Sequence, residues 1–234
     1  MKKVFYTLLT TMFFLACSSE NERNMIVKGQ IKGLKKGTLY LQKMKDTLLV
    51  TVDSVSLLGK DTFTLTDNVT SPVMYYLTFN GNTEDKRLLF FGEKGEITIN
   101  DKLEEFGYKP EITGSKNQEV LDKFQKVENR FTNQNLELIK KELEAKQQND
   151  TVALKEVAAD YKKMTRRKLL FATNFAIGNA NTEAAPYIAL TKLYDANIQL
   201  LDTVNNSLTD RVKKSVYGVR LQEFIDKIKA VEKK

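Results

Sequence analysis

The sequence predicts an α+β fold: an N-terminal antiparallel β-sandwich-like domain over residues 26–114, then an α-helical region over 115–234 made of a helical hairpin and short helices. Three observations predict it. Short β-prone runs punctuated by glycine and asparagine fill the first stretch. Ser115 opens a change to charged, helix-forming composition. Two apolar stripes at helical spacing follow, parted only by Asn149-Asp150.

The strand-like runs are residues 26–31, 37–42, 48–58, 62–66, 74–79, 88–91, 96–100 and 111–113. The run 48–58 is rich in Val and alternates partly, and 62–66 alternates cleanly, as half-buried strands do. Asn80-Gly81 is a turn signal. About eight strands at such close spacing point to a sandwich or barrel-like sheet.

Ser115-Lys116-Asn117-Gln118 fits a capping box, in which the hydroxyl accepts from the third residue's N–H and that residue's side chain reaches back. A helix is expected from there to about residue 148. Leu121, Phe124, Phe131 and Leu138 recur at three and seven, which keeps them on one face. Asp150 can cap a second helix, whose stripe is Val157, Tyr161, Met164, Phe171 and Phe175, with Gly178 at its end. The pair reads as an antiparallel hairpin. Shorter helices are expected over 183–196, with Pro186 in the first turn, and over 210–217 and 219–231.

Residues 1–16 read as a cleaved signal peptide. Met1-Lys2-Lys3 is a positive start, and the apolar run over 4–15 is too short to span a bilayer, which takes roughly twenty residues. Residues 17–25 begin polar and suit a flexible tether. Phe14-Leu15-Ala16-Cys17 resembles the bacterial lipobox, with Phe14 where Leu is usual. The resemblance implies a diacylglyceryl thioether on Cys17, cleavage between Ala16 and Cys17, and a membrane partner reached through that lipid. Two acyl chains suffice for stable anchoring. Ser18, not Asp, follows the cysteine, which favours the outer membrane, on its periplasmic face or at the cell surface.

Composition narrows the chemistry. The formal charge is +7; residues 1–16 hold two lysines and no acid, so cleavage leaves +5. For an exported chain that balance is not read as nucleic-acid binding. Cys17 is the only cysteine, so the body holds no disulfide, thiol redox pair or thiolate metal site. The sequence has no His, the commonest general base and metal ligand, and no Trp. Carboxylates, lysines and tyrosines remain, the set that carboxylate-only hydrolases use. The expectation is a protein that is not an enzyme, with no catalytic residue, metal or cofactor.

Several clusters are candidate sites. Arg166-Arg167-Lys168, with Lys162 and Lys163 one turn earlier, offers charges to anionic lipid headgroups, but reads as a solvated helix face. Lys168 falls where the second stripe calls for an apolar residue. Glu84-Asp85 and Glu104-Glu105 are adjacent, so on strands they face opposite ways; Asp101 and Glu104 are better spaced on a helix. All read as surface carboxylates. Tyr75-Tyr76 would put one ring in and one out. The glycine-bounded segments 33–37 and 92–95 lack phosphate-loop spacing and read as hairpin turns.

Residues 26–113 resemble the domain of unknown function 4369, found in exported lipoproteins of some Gram-negative bacteria. Val27-Lys28-Gly29-Gln30-Ile31, Gly37-Thr38-Leu39-Tyr40-Leu41, Asp53-Ser54 and the run from Phe91-Gly92-Glu93 through Ile99 carry the match, with Ile112-Thr113-Gly114-Ser115 and Asn117-Gln118. The resemblance implies a β-sandwich-like domain. In many relatives a helical segment and then a thioredoxin-like domain follow. Ala185-Pro186-Tyr187-Ile188-Ala189-Leu190 and Val216-Tyr217-Gly218-Val219-Arg220-Leu221 resemble that linker. The sequence stops at Lys234 without a Cys-x-x-Cys, so thiol–disulfide exchange does not carry over. The expected function is a lipid-anchored binding or scaffolding module with a protein partner in the cell envelope. A partner-recognition accessory of a thiol–disulfide system and a carrier of small apolar ligands or glycan fragments are the alternatives.

Overall fold

The computed structural model describes residues 23–80 and 86–232. Ala16, Cys17, Glu84, Asp85 and most of the tether therefore lie outside the described residues. Eight strands come first: β1 Met25–Lys32, β2 Lys36–Lys45, β3 Leu48–Leu58, β4 Thr62–Asp67, β5 Val73–Phe79, β6 Leu88–Gly92, β7 Gly95–Lys102 and β8 Glu111–Thr113. They form two four-stranded sheets, ordered β4-β1-β7-β8 and β3-β2-β5-β6. Val27, Ile31, Leu65, Ile97 and Ile99 of the first sheet meet Leu39, Leu41, Tyr75, Leu77 and Phe90 of the second in one buried core.

Two topological details depart from the sequence expectation. The pairing of β1 with β7 is parallel, with Met25 opposite Gly95 and Lys32 opposite Lys102. The chain leaves the first sheet after β1 and returns to it beside the same strand, now running the same way. The glycine-bounded turns 33–37 and 92–95 also join strands of different sheets, so they cross the sandwich and are not hairpins. Hairpin pairing is found between β2 and β3, β5 and β6, and β7 and β8.

The helices are α1 Lys116–Gln147, α2 Thr151–Gly178, α3 Ala184–Lys192, α4 Ile198–Ser207, α5 Asp210–Lys213 and α6 Val216–Glu232. Ser115 caps α1 by accepting from Gln118 N, and Asp150 caps α2 by accepting from Val152 N and Ala153 N. The helix expected over 183–196 is shorter, and α4 was not anticipated. The break expected at Gly218 falls instead at Lys214-Ser215, and α6 runs through Gly218. A Cβ at Gly218 would lie 2.0 Å from the Val212 carbonyl oxygen, so close packing, not helix termination, demands glycine there.

The inner ends of α1 and α2 pack with the short helices in a second core containing Phe124, Ala172, Ala176, Ile188, Leu201, Val212 and Leu221. A third, smaller cluster joins sheet to helices through Met74, Phe91, Val120, Ala184 and Tyr217. Residues 132–168 contribute to none of these clusters. There α1 and α2 form a two-helix arm closed by Leu138, Ala145 and Val157. Sixteen helical residues, 132–147, give it a length of about 24 Å.

Candidate binding site at the sheet–helix junction

The outer edge of β6 sets the site. Met74 lies opposite Phe91, yet Met74 N donates to Tyr217 Oη at 3.0 Å and Phe91 N donates to Gln118 Oε1 at 2.9 Å. The two amides thus point away from each other, which makes this a non-hydrogen-bonded pair. Alternation makes Tyr76 and Leu89, two residues along, another such pair. The Leu89 N–H and C=O therefore face outward from the sheet. On one side of Leu89 the edge is covered by Gln118. On the other it is covered by Gly107, whose Cβ, if present, would come within 2.4 Å of the Arg87 carbonyl oxygen. Leu89 is left between two covers, 43% exposed.

A cleft of about 440 Å³ opens at that gap. Leu89, Met74 and Ile112 supply its sheet wall, Gln118, Leu121 and Gln125 the wall from α1, and Tyr187, Thr191 and Lys192 the wall from α3. Behind the last of these lies a buried carboxylate. Glu128 Oε1 meets Lys192 Nζ at 2.6 Å, with the Glu128 side chain only 8% exposed. Its Oε2 has no hydrogen-bond partner among the described residues. Burial raises the Tyr187 hydroxyl above its ordinary range, and the charges of Tyr76 and Glu128 add to that, so Tyr187 is a neutral donor at physiological pH. The cleft thus offers apolar walls, an outward strand peptide, amide and hydroxyl groups, the ammonium ions of Lys109 and Lys192, and the Asp122 carboxylate.

A polar clamp fixes the two walls relative to each other. Glu93 Oε1 accepts from Lys116 N at 2.5 Å, and Asn117 Nδ2 donates to Glu93 Oε2 at 2.5 Å and to Glu183 Oε2 at 3.2 Å. Asn117 Oδ1 accepts from Ala184 N at 2.9 Å. Glu183, 2% exposed, is neutralised by Arg211, which also donates to Asn181 O at 2.6 Å. Burial, chiefly, pushes the Tyr217 hydroxyl up to about 12, so it stays protonated while accepting from Met74 N.

Apart from Gln118, the candidates read from sequence land elsewhere. Gln118 receives the Ser115 cap but does not reach back to close the box; its side chain turns to Phe91 N and to Asp122. Asp101 Oδ2 accepts from Gly107 N at 2.7 Å and so shapes the turn, while Glu104 is exposed. Tyr75 is fully buried and donates to Asp67 Oδ2 at 2.6 Å; Tyr76 is half-buried. Lys43 Nζ meets the same Asp67 oxygen at 2.5 Å. Burial alone would raise Asp67, but hydrogen bonds from Lys43, Tyr75 and the Asn68 amide, with the Lys43 charge, outweigh it and hold the carboxyl below its usual range. Among the described residues no group of three or more His, Cys, Asp or Glu is placed to hold a metal ion, and no helix is long and apolar enough to cross a membrane.

Residues 25–121 match the family described as domain of unknown function (DUF4369). The match runs from the first residue of β1 through the Ser115 cap and the first turns of α1, so it takes in Gln118 and Leu121 of the cleft. No curated protein and no solved structure matches the chain.

Proposed function

We propose that this chain, whose residues 25–121 form a DUF4369 domain, is a lipid-anchored, non-enzymatic module of the cell envelope that binds an extended segment of a protein partner. The outward-facing peptide of Leu89, left uncovered between Gly107 and Gln118, carries the reading. An extended segment can take its backbone hydrogen bonds from a strand edge and its selectivity from side chains in flanking pockets. Leu121, Tyr187 and Ile112 supply apolar surface for such side chains, and Gln125, Thr191 and Lys192 supply polar contacts. The anchor rests on the signal-like start, Ala16 and Cys17.

Two measurements test this. Photo-crosslinkers at Leu89 and at Gln125 are expected to trap the same envelope polypeptide in cells, and one at exposed Glu223, on α6, is expected to trap none. Crosslinking at Leu89 no stronger than at Glu223 would refute the cleft. If the trapped polypeptide carries a thioredoxin-like domain, the protein belongs to a thiol–disulfide system as its accessory. Metabolic labelling with a clickable fatty acid is expected to mark the wild type and not Cys17→Ala. A turnover abolished by one substitution in the body would overturn the non-enzymatic reading.

A further inference from the structure

The outer face of α2 is built unlike a solvated helix surface. Val152, Lys155, Ala159, Lys162, Arg166 and Leu170 recur at three and four residues, so they share one face for about 27 Å. That face lies opposite the inward stripe of Val157, Tyr161 and Met164. Val152 is 66% and Leu170 43% exposed, which puts an uncovered apolar residue at each end of the row of cations. Among the described residues Lys155, Lys162, Lys163 and Arg166 form no ion pair. The carboxylates of this helix sit off the face: Glu156 at its margin and Asp160 in the groove toward α1. Toward its C-terminal end the face opens into a cleft of about 490 Å³, where Lys162 and Arg166 stand beside Leu169, Leu170 and, from the start of α4, Asn197, Gln199 and Leu200. Asp195, exposed just before α4, is the nearby acid in sequence.

From this arrangement we infer that the outer face of α2 docks on an anionic lipid bilayer. Cations flanked by apolar residues match the boundary of a membrane, where basic heads meet phosphates and leucines enter the acyl region. In the α4 cleft a phosphodiester beside Lys162 and Arg166 would have its glycerol and upper acyl carbons against Leu169, Leu170 and Leu200. The surface is separate from the junction cleft and adds to the binding reading: it lays the arm along the bilayer and fixes how the cleft is presented.

The chain has no Trp, so one introduced Trp reports its own surroundings. The full chain carrying Ala159→Trp is reconstituted in vesicles of brominated phosphatidylcholine alone, or of brominated phosphatidylcholine with unbrominated phosphatidylglycerol as minority component. Quenching and a blue shift are expected only on the anionic vesicles, to be lost in high salt, and absent for Lys227→Trp on α6. Lys162→Glu with Arg166→Glu is expected to lower the docked-to-free ratio at least ~25-fold, about fivefold for each cation removed. Both residues are exposed, so an unchanged far-ultraviolet spectrum should accompany the loss, and the paired Gln variants should fall between. Equal quenching on neutral vesicles, quenching that survives the double reversal, or equal quenching of Lys227→Trp overturns the inference. A chain found by mass spectrometry to lack the diacylglyceryl group refutes the anchor alone; the same Trp signals, read after vesicle sedimentation, still decide the docking.

Discussion

Phe91 N, on the edge of the second sheet, donates to Gln118 Oε1 on the first helix at 2.9 Å, so the helix completes a hydrogen bond that the sheet leaves open. Gln118→Leu keeps the volume and removes the acceptor. A buried amide without a partner costs about 1–3 kcal/mol, so the midpoint of denaturant unfolding should fall accordingly. An unchanged midpoint would refute the assignment.

Asn117 bridges two carboxylates from opposite sides of the junction. Asn117→Leu strands Glu93 Oε2 and Ala184 N together, with an expected loss of about 3 kcal/mol. Asn117→Asp should be worse at neutral pH, because it sets a third carboxylate between Glu93 and Glu183, and should recover in part as acid protonates the group. Thermal unfolding of both variants across pH separates the two causes.

Acid should weaken the β-domain through Asp67. Its folded pKa lies below the ordinary 3.8, so its contribution is fully present above that value and is lost as pH falls through the folded pKa. Asp67→Asn should flatten stability against pH below about 4. At the other extreme, Tyr75 and Tyr217 have folded values above the ordinary 10, so the unfolded chain loses those protons first and stability declines as pH rises past 10. Tyrosinate absorbance should lag behind that of a peptide mixture until the protein unfolds.

Lys192→Met removes the ion that faces Glu128, whose second oxygen already has no partner among the described residues. Breaking a buried pair from one side typically costs 3–5 kcal/mol, and replacing both ions with apolar groups is often neutral or stabilising. The partial exposure of Lys192 places the expected loss near the lower figure, about 3 kcal/mol. Adding Glu128→Leu should restore most of it in calorimetry, and a double variant no more stable than Lys192→Met would contradict this account.

Local chemistry made much of the fold legible. The strands at 48–58 and 111–113 coincide with the sequence reading to the residue, and the Ser115 and Asp150 caps form as expected, because alternation and capping are decided by near neighbours. Helix α4 was missed although Asn197 caps it and Leu201, Val204 and Leu208 carry its buried spacing; it is short and polar between those positions. The junction was not legible. Asn117 and Glu183 lie 66 residues apart, and nothing local marks either as a partner. The parallel pairing escaped for the same reason: alternation gives a strand's faces and says nothing of its neighbours' direction.

That parallel pairing also bears on when the protein can fold. β1 is central in its sheet, and its neighbours begin 37 and 70 residues further along the chain, at Thr62 and Gly95. As the polypeptide emerges from its N-terminal end, the first strand made must wait for the seventh. Loop-closure entropy is spent before those distant contacts form, which slows the search. The hairpin of β2 with β3 can close early, but the sandwich core cannot, so a nascent chain of fewer than about a hundred residues should remain unfolded and protease-sensitive. The topology acts as a clock that delays compaction until the whole β-domain has been delivered.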